Sequence, residues 1–228
     1  MSAAPGRPKP ARTAAKHEGL PMNKLITRLE DLRALYGPAR ERSVLKELPQ
    51  LDAHATRFIG LSPLVVLASG GPGGDLDASP RGGDPGFVKA VDAGTLLIPD
   101  APGNNRLDTL ENIVQTGAIG LLFLLPGVDE TLRVNGRAVL STDLAERERC
   151  ADARRAPALV IRVTVQASYL HCARALMRSA LWDASRQVER SIMPSMGEML
   201  RDQIGHRMSP DTVFETQAQM LERYRQTL

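Results

Sequence analysis

The chain opens with a pattern of apolar and polar residues that is typical of helices. In NKLITRLEDLRALYG, leucines at positions 25, 29, 32 and 35 share one helix face, and Gly37-Pro38 predicts the end of the helix. A second amphipathic stretch runs from Ser43 to about Gly60, where Pro49 marks either a kink or a first turn. We therefore expect two helices before any strand.

Short apolar runs after residue 61 predict strands. The run SPLVVLAS is followed by the turn-rich GGPGGDLD, and the runs GFVKAV and TLLIP are separated by DAG. AIGLLFLLPG is apolar throughout, while TLRVNGRAVL and ALVIRVTVQAS alternate between apolar and polar residues. Six or so strands with few helices between them favour an antiparallel barrel or sandwich.

Helical spacing returns at the end of the chain. Apolar residues recur at intervals of three and four between Ala173 and Leu181, and the segment from Met193 to Leu200 indicates a further helix on the surface or against a partner. We predict a single domain over residues 23–228, with N-terminal helices and a C-terminal helical extension. Residues 1–22 are rich in Ala and Pro and nearly free of large apolar groups, so we expect a disordered tail there.

The net charge belongs to that tail. The protein has 228 residues, a formal net charge of +3 and a pI of about 9.1. Residues 1–22 contain four basic residues and one acidic residue, and taking these from the 29 basic and 26 acidic residues leaves 25 of each. A formally neutral body argues against general electrostatic binding of the nucleic-acid backbone. A basic tail that finds nucleic acid or an acidic partner remains the alternative.

Composition also bears on the compartment. No apolar run approaches the roughly 18–20 residues that span a bilayer, and the N-terminus has no apolar segment of the kind found in secretory signals. The two cysteines, Cys150 and Cys172, are too few for a disulfide framework. We therefore expect a cytoplasmic protein that has no membrane partner.

The junction LLIPDAPGNNRLDTLENI is the first candidate site. An apolar run ends at Pro99, a turn follows, and a helical segment begins near Arg106. A helix start offers free N–H groups and partial positive charge to an anion. Asn104 or Asn105 can cap the helix, and the Arg106 guanidinium fits a phosphate bidentately. The alternative is an ordinary capped helix beside a solvated arginine.

Two further segments carry candidate chemistry. In DASPRGGDPGFV, glycines beside Arg81 permit close backbone approach, although the segment by itself favours a flexible hairpin and is neither a P-loop nor a dinucleotide fingerprint. In YLHCARALMRSALWD, His171 and Cys172 are adjacent and would point about 100° apart on a helix, which argues against a catalytic pair. Trp182, the single tryptophan, is more typical of the core than of a platform for a ligand.

No protein-based catalytic apparatus stands out. The chain has no serine elbow, HExxH pair or kinase signature, and no acid/base pair is singled out by its spacing. Ligands at zinc-binding spacing are also too few, so we expect no metal site. If the protein is an enzyme, a bound cofactor is expected to carry the difficult chemistry.

Taken together, four segments resemble a known family. SPRGGDPGFV, LLIPDAPGNNRLDTLENI, GLLFLLPGVDETLRVNGRAVLS and YLHCARALMRSALWD are similar to the pyridoxamine 5′-phosphate oxidase-like, FMN-binding split-barrel flavoproteins. The likeness covers roughly Ser43 to Gln203 and is to the branch with SPRGD- and PGNNR-like signatures. It implies a mainly β fold with flanking helices (α+β), built on a six-stranded antiparallel split barrel. It also implies a homodimer with FMN at the subunit interface.

The resemblance implies which residues hold the FMN phosphate. The turn that contains Asn104, Asn105 and Arg106 would occupy the place of the oxidase family's phosphate-binding turn, with Asn105 and Arg106 in contact with the phosphate. The resemblance also implies that Arg81 lies in or just before the strand that runs along the cofactor, where it is the second phosphate candidate. The oxidases carry two adjacent basic residues where this chain has Asn105 and Arg106, so one positive charge is missing unless Arg81 supplies it.

The resemblance also implies the contacts of the ring system. Pro99 and Asp100 would lie beside the isoalloxazine or ribityl chain, and Thr131 in ETLRVNG would occupy a flavin-contacting position. Trp182 would cover the flavin from the partner subunit. The oxidases' C-terminal Arg-x-His pair has no match here, which argues against vitamin B6 oxidase activity. We expect an FMN-dependent oxidoreductase acting on an unknown small molecule. The alternative is a flavin, haem or deazaflavin carrier or sensor without turnover.

Overall fold

The structure is a computed structural model that describes residues 25–152 and 155–227. The predicted disordered tail, residues 1–22, lies outside the described residues. The division of the chain into that tail and a single domain therefore stays a prediction. None of the described helices is long and apolar enough to cross a membrane.

The body of the protein is one antiparallel sheet of seven strands. Its order is β2-β1-β5-β6-β7-β4-β3, and the longest pairing joins β6 to β7. The strands are β1 (Leu64–Gly70), β2 (Leu76–Gly82), β3 (Lys89–Asp92), β4 (Thr95–Pro99), β5 (Ala118–Leu124), β6 (Thr131–Ser141) and β7 (Val160–His171). The mainly β, antiparallel class predicted from the sequence is confirmed.

The count of six strands is wrong, because β2 is a strand as well. This segment, LDASPRG, was predicted to be part of a turn and a flexible hairpin, yet it pairs with β1 along its whole length. It carries Pro80 and three small residues and alternates between exposed and half-buried positions, so it has no apolar run. An edge strand tolerates this composition because only one of its sides must supply ladder hydrogen bonds.

The sheet is strongly curved around one apolar core. Asp100, which follows β4, feels the charge of Arg81 on β2. Five strand spacings separate β2 from β4, which would be about 24 Å in a flat sheet. Within the described residues no pairing joins β2 to β3, so the closed split barrel stays a prediction.

Alternate residues of the strands point into this core. Fully buried side chains from five strands and from the helix Ala53–Leu61 form one cluster. Its members include Ile59, Val65, Leu67, Leu96, Ile98, Leu121, Phe123, Leu132, Val134, Ile161 and Val163. The period of two that the sequence showed in β6 and β7 is the period of this burial. Gly136 is needed at the β6 bulge, since a Cβ there would lie 2.2 Å from the Thr164 carbonyl oxygen.

The helices surround the sheet. They are α1 (Leu29–Tyr36), α2 (Glu41–Leu45), α3 (Ala53–Leu61), α4 (Asp108–Thr116), α5 (Leu144–Arg149), α6 (Arg174–Ser179), α7 (Met196–Ile204) and α8 (Gln217–Thr227). Single 3₁₀ turns occupy Ala184–Arg186, Arg190–Ile192 and Gly205–Arg207. The first helix ends at Gly37, in a positive-φ conformation, as the Gly-Pro pair predicted.

The helix predicted from Ser43 to Gly60 is in fact two helices, α2 and α3. The chain between them contains Pro49 and forms a bridge to β7, with N–H···O distances of 3.0 and 2.8 Å between Leu48 and Ser168. A new helix then starts because the Asp52 carboxylate accepts a hydrogen bond from the Ala55 N–H at 2.7 Å. This break brings the segment after α2 onto β7.

Candidate cofactor site

Helix α4 is fixed to the sheet by polar contacts from one of its faces. The Thr109 hydroxyl donates to the Asp77 carboxylate of β2, and the Asn112 amide donates to the Ser69 hydroxyl of β1 at 3.0 Å. The Thr116 hydroxyl donates to the Gly70 carbonyl at 2.9 Å. Because Thr109 is nearly fully buried, these bonds are shielded from water. They hold the start of α4, and the loop before it, beside β2.

The loop before α4 has an unusual backbone. Asn105 and Leu107 both have positive φ, at 58° and 54°. A branched apolar residue in this region is strained, and such residues cluster at functional sites. Leu107 is the N-cap residue of α4, and no side chain caps the helix. The prediction that Asn104 or Asn105 caps the helix is therefore wrong.

Asn104 instead stabilises the turn itself. Its side-chain oxygen accepts a hydrogen bond from the Arg106 N–H at 3.1 Å, which is the local bond of an Asx turn. The first turn of α4 thus keeps N–H groups that no capping side chain satisfies. These groups and the partial positive charge of the helix end face the same loop.

Arg106 lies at the surface of this loop. Its side chain is 78% exposed, and Nε lies 2.7 Å from Asp108 Oδ2. This hydrogen bond raises the pKa of Arg106, and the charge of Asp77 adds a smaller effect in the same direction. An anion at the loop must therefore compete with Asp108 for the guanidinium.

Asp100 and Arg81 come from distant parts of the chain to the same region. Asp100 is half-buried after β4, and its N–H donates to the Leu159 carbonyl at 3.2 Å. Burial raises the pKa of Asp100, and the positive charge of Arg81 partly opposes that rise. Pro99 ends β4 and pairs with Val160. Arg81, Pro99, Asp100 and the loop to Arg106 therefore form one group, here named the phosphate-loop group.

The raised pKa of Asp100 predicts a pH dependence of stability. A carboxyl group with a folded-state pKa above its unfolded value, about 3.9, contributes stability that is complete at lower pH and is lost as pH rises through the folded pKa. Asp100→Asn removes that loss. We expect the free energy of unfolding of the variant, relative to that of the unmodified protein, to be higher at about pH 7 than at about pH 3. Urea unfolding at both pH values measures this, and parallel pH profiles would contradict it.

Thr131 and Trp182 form a second group. Thr131 is buried at the start of β6 and lies opposite His171 of β7. The Trp182 indole N–H donates to the Val128 carbonyl at 2.9 Å, in the loop just before Thr131. Among the described residues, no hydrogen bond or ion pair joins this group to the phosphate-loop group. The recorded polar contacts thus connect the predicted site residues within two sets and not between them.

The family model that describes pyridoxamine 5′-phosphate oxidase matches residues 51–172. This range is more than half of the chain and contains the whole sheet. The chain belongs to the pyridoxamine 5′-phosphate oxidase family. The phosphate-loop group and Thr131 lie inside the matched range, whereas Trp182 lies beyond it.

Solved structures with a similar sheet come from several bacteria. HupZ from Group A Streptococcus is 20% identical, with 50% of this chain and 89% of that chain covered and a TM-score of 0.43. A protein of the pyridoxinephosphate oxidase family from Clostridium acetobutylicum, related to general stress protein 26, is 12% identical over 52% and 85%, with a TM-score of 0.41. An FMN-binding protein from Syntrophomonas wolfei is 9% identical over 51% and 81%, with a TM-score of 0.39. No curated protein matches the chain.

The phosphate-loop group fits the terminal phosphate of a flavin nucleotide. The uncapped N–H groups at a strained helix start, the Arg106 guanidinium in the loop before it and the Arg81 guanidinium, whose charge acts on Asp100, are donors of the kind that bind a phosphate. Carboxylates of Asp77, Asp100 and Asp108 oppose a dianion. Asp77 is neutralised in part by the hydroxyls of Thr109 and Ser79, which both donate to it. The fit therefore depends on Arg106 leaving Asp108.

Two cavities lie near the sheet. The larger cavity, of about 500 Å³, has a lining rich in alanine and glycine. Asp77, which accepts the hydrogen bond from Thr109 of α4, is one of its lining residues. The others are Ala68, Ser69, Gly70, Leu76, Ala78, Ala118, Ile119, Gly120, Asn135, Gly136 and Gln166. The smaller, about 230 Å³, lies between α5 and the β3–β4 hairpin. None of the eight predicted site residues lines either cavity in the single chain.

The remaining sequence-based expectations concern metals and cysteines. Within residues 25–152 and 155–227 no cluster of His, Cys, Asp and Glu could hold a metal. His171 and Cys172 do not lie on a helix as assumed, because β7 ends at His171 and α6 begins at Arg174. Cys150 is buried and Cys172 is exposed, and neither forms a disulfide.

Sequence reasoning missed Asp77 and Thr109, which hold α4 in place. Asp77 lies in a segment that has no strand pattern, and Thr109 lies in the polar first turn of a helix. The signal that was available is the amphipathic pattern of α4, which puts Thr109 and Asn112 three residues apart and therefore on one side. Only the pairing of β1 with β2 shows what that side contacts.

Proposed function

We propose that this protein is an FMN-binding flavoprotein that works as a homodimer and oxidises or reduces a small molecule. The observation that carries the proposal is the phosphate-loop group. An uncapped, strained start of α4 lies with Arg106 and the Asp100–Arg81 pair inside the part of the chain that matches the family.

Each residue of the phosphate-loop group has a role in this proposal. The Arg106 guanidinium and the free N–H groups of α4 bind the phosphate, and Arg81 adds the second positive charge. Asn104 holds the turn through its bond to the Arg106 N–H, and Asn105 offers its amide to the phosphate. Pro99 and Asp100, at the end of β4, lie beside the ribityl chain or the ring.

The second group supports the homodimer. Among the described residues no hydrogen bond or ion pair joins Thr131 or Trp182 to the phosphate-loop group, and we infer that the partner subunit's copies complete the site. Trp182 is held by its bond to Val128 and keeps part of its surface exposed, as a residue that covers a ligand of another subunit requires. A bound flavin supplies hydride or electron transfer, and the protein positions it and excludes water.

The test is the identity of the small molecule that the protein binds. The purified protein, with FMN added where none is present, is expected to show flavin absorbance after gel filtration and to release FMN on denaturation, as identified by mass spectrometry. Light scattering of the same sample is expected to give the mass of a dimer. Release of haem, FAD or a deazaflavin would reject FMN as the cofactor. A monomer that retains FMN would reject the shared site.

Turnover separates an oxidoreductase from a carrier or sensor. With FMN bound, we expect oxidation of NADH or NADPH in the presence of common electron acceptors. The loss of absorbance at the nicotinamide band measures this oxidation. A protein that binds FMN stoichiometrically but oxidises neither nucleotide with any acceptor would favour the carrier or sensor.

A further inference from the structure

A compact cluster of positive charge lies on the outer face of β6 and β7. Arg133 and Tyr169 are directly opposite each other in the pairing of these strands. The Arg133 Nη1 donates to the Tyr169 hydroxyl at 3.0 Å, and its guanidinium carbon lies 5.6 Å from the centre of the Tyr169 ring. The guanidinium is therefore held in one place by the ring and by the phenol oxygen.

Lys46 comes to the same ring from the helical segment. The bridge between Leu48 and Ser168 fixes the chain after α2 on β7. Lys46 Nζ donates to the Leu170 carbonyl at 2.7 Å and lies 5.5 Å from the centre of the Tyr169 ring. Two positive charges thus contact one aromatic ring.

His171 extends the cluster along β7. It lies opposite Thr131. The Thr131–His171 pair and the Arg133–Tyr169 pair are neighbours on the same face of the sheet, with one residue between them along each strand. Burial lowers the pKa of His171, and the charges of Arg133 and Lys46 lower it further. In the described part of the chain, no carboxylate forms an ion pair with Lys46, Arg133 or His171. The recorded contacts of Lys46 and Arg133 are with a carbonyl, a phenol oxygen and an aromatic ring, none of which carries a negative charge.

We propose that Lys46, Arg133 and His171 form a binding site for the phosphoryl or carboxylate group of a small molecule. Charges of one sign repel each other, and fixing two of them on one ring favours an anion that bonds to both. The imidazole of His171 offers an N–H donor in either protonation state. The site is confined to three side chains, which suits one anionic group and not an extended polyanion.

This site deepens the proposed function and depends on it for the nature of the ligand. Thr131, which we place at a flavin, lies opposite His171. An anion bound at the cluster would therefore bring the molecule to which it belongs next to the flavin. We infer that the substrate of the flavin carries such a group, and that this group is distinct from the cofactor phosphate at Arg106.

The test uses the imidazole NMR signal of His171 in the flavin-free full chain at constant pH. The chain has four histidines, so His171→Gln identifies the signal. Inorganic phosphate and malonate are titrated separately, with sodium chloride at matched ionic strength as the control. We expect a saturable shift with one or both anions, and the responding anion distinguishes a phosphoryl from a carboxylate ligand. No shift, or an equal shift with chloride, overturns the proposal.

Matched variants locate the site. Lys46→Gln and Arg133→Gln are each expected to weaken anion binding about tenfold or more, the usual effect of losing one charge-assisted bond. Arg137→Gln, an exposed arginine on the same strand, is the control and should leave binding unchanged. Lys46 is exposed, so Lys46→Gln remains informative if Arg133→Gln fails to fold. Unchanged affinity in the Lys46 variant would overturn the proposal.

An FMN titration of the same variants separates this site from the cofactor site. We expect both variants to bind FMN with unchanged affinity. Loss of FMN affinity would assign the cluster to the cofactor's own phosphate and overturn the second site. If the unmodified protein binds no FMN but still shows the saturable phosphate shift, the proposed function fails while the anion site stands.

Discussion

Arg106→Ala is expected to weaken FMN binding by about tenfold to a hundredfold, because it removes a charge-assisted, bidentate contact to the phosphate. The Arg106 side chain is exposed and pairs with Asp108 at the surface, so the folded structure should be unaffected. The measurement is a titration of flavin-free protein with FMN, in which the quenching of flavin fluorescence reports binding. Riboflavin, which lacks the phosphate, should bind the variant and the unmodified protein equally.

The riboflavin comparison makes this experiment specific. If Arg106 acts through the phosphate, the difference in affinity between FMN and riboflavin must be smaller in the variant than in the unmodified protein. Arg149→Ala, which removes an exposed arginine from α5, serves as the matched control and should bind FMN normally. Equal FMN affinity in the Arg106 variant and the unmodified protein would remove the phosphate role of this residue.

Phe123→Ala is expected to lower the free energy of unfolding by about 3–5 kcal/mol, because it removes the largest fully buried side chain of the core and leaves a cavity. Phe123 lies on β5, paired with Val65 and Leu132 in the adjacent strands, so few neighbours can move to fill the space. Chemical denaturation at neutral pH measures the change.

A substitution on the opposite face provides the control for Phe123. Val139 lies on the outer face of β6 and is 59% exposed. Val139→Ala should change the free energy of unfolding by less than about 0.5 kcal/mol. A similar loss in the two variants would mean that Phe123 does not face the core, and would contradict the inward and outward assignment of the sheet.

The strand pattern shows how far local sequence reasoning reaches. Strands β1, β4, β5, β6 and β7 were predicted because their apolar residues alternate or run continuously, and the side chains concerned are the buried ones. The residue pattern missed strand β2, although the resemblance put Arg81 in or just before a strand, because its polar inward face, with Asp77, Ser79 and Arg81, gives no apolar alternation. A strand of this kind is stable only because β1 is beside it.

The candidate site shows the same division. The segments that contain Arg81 and Arg106 were candidates by their local chemistry, which also allowed an ordinary hairpin and an ordinary capped helix. The resemblance assigned their roles, together with that of Asp100. The cap at Asn104 or Asn105 was predicted from helix-start preferences, but the turn uses the Asn104 oxygen for the Arg106 N–H instead. Residue preference therefore identified the turn and not the bond that the side chain makes.

The basic cluster had no signal in the sequence. Lys46, Arg133 and His171 lie in three segments with different patterns, and Arg133 was one of several polar residues on an alternating strand. Their proximity depends on the register of β6 with β7 and on the bridge from Leu48 to Ser168. Register is a property of two segments together, and neither segment contains it alone.

By itself, the sequence determined which segments alternate, which are helical, where turns interrupt them and to which family the segments are similar. These properties are local because a side chain's face is set by the period of its own strand or helix. The tertiary structure decided that LDASPRG is a strand, that Asp100 feels Arg81, and that two positive charges contact one tyrosine ring. These depend on curvature and register, which the packing of the whole core selects.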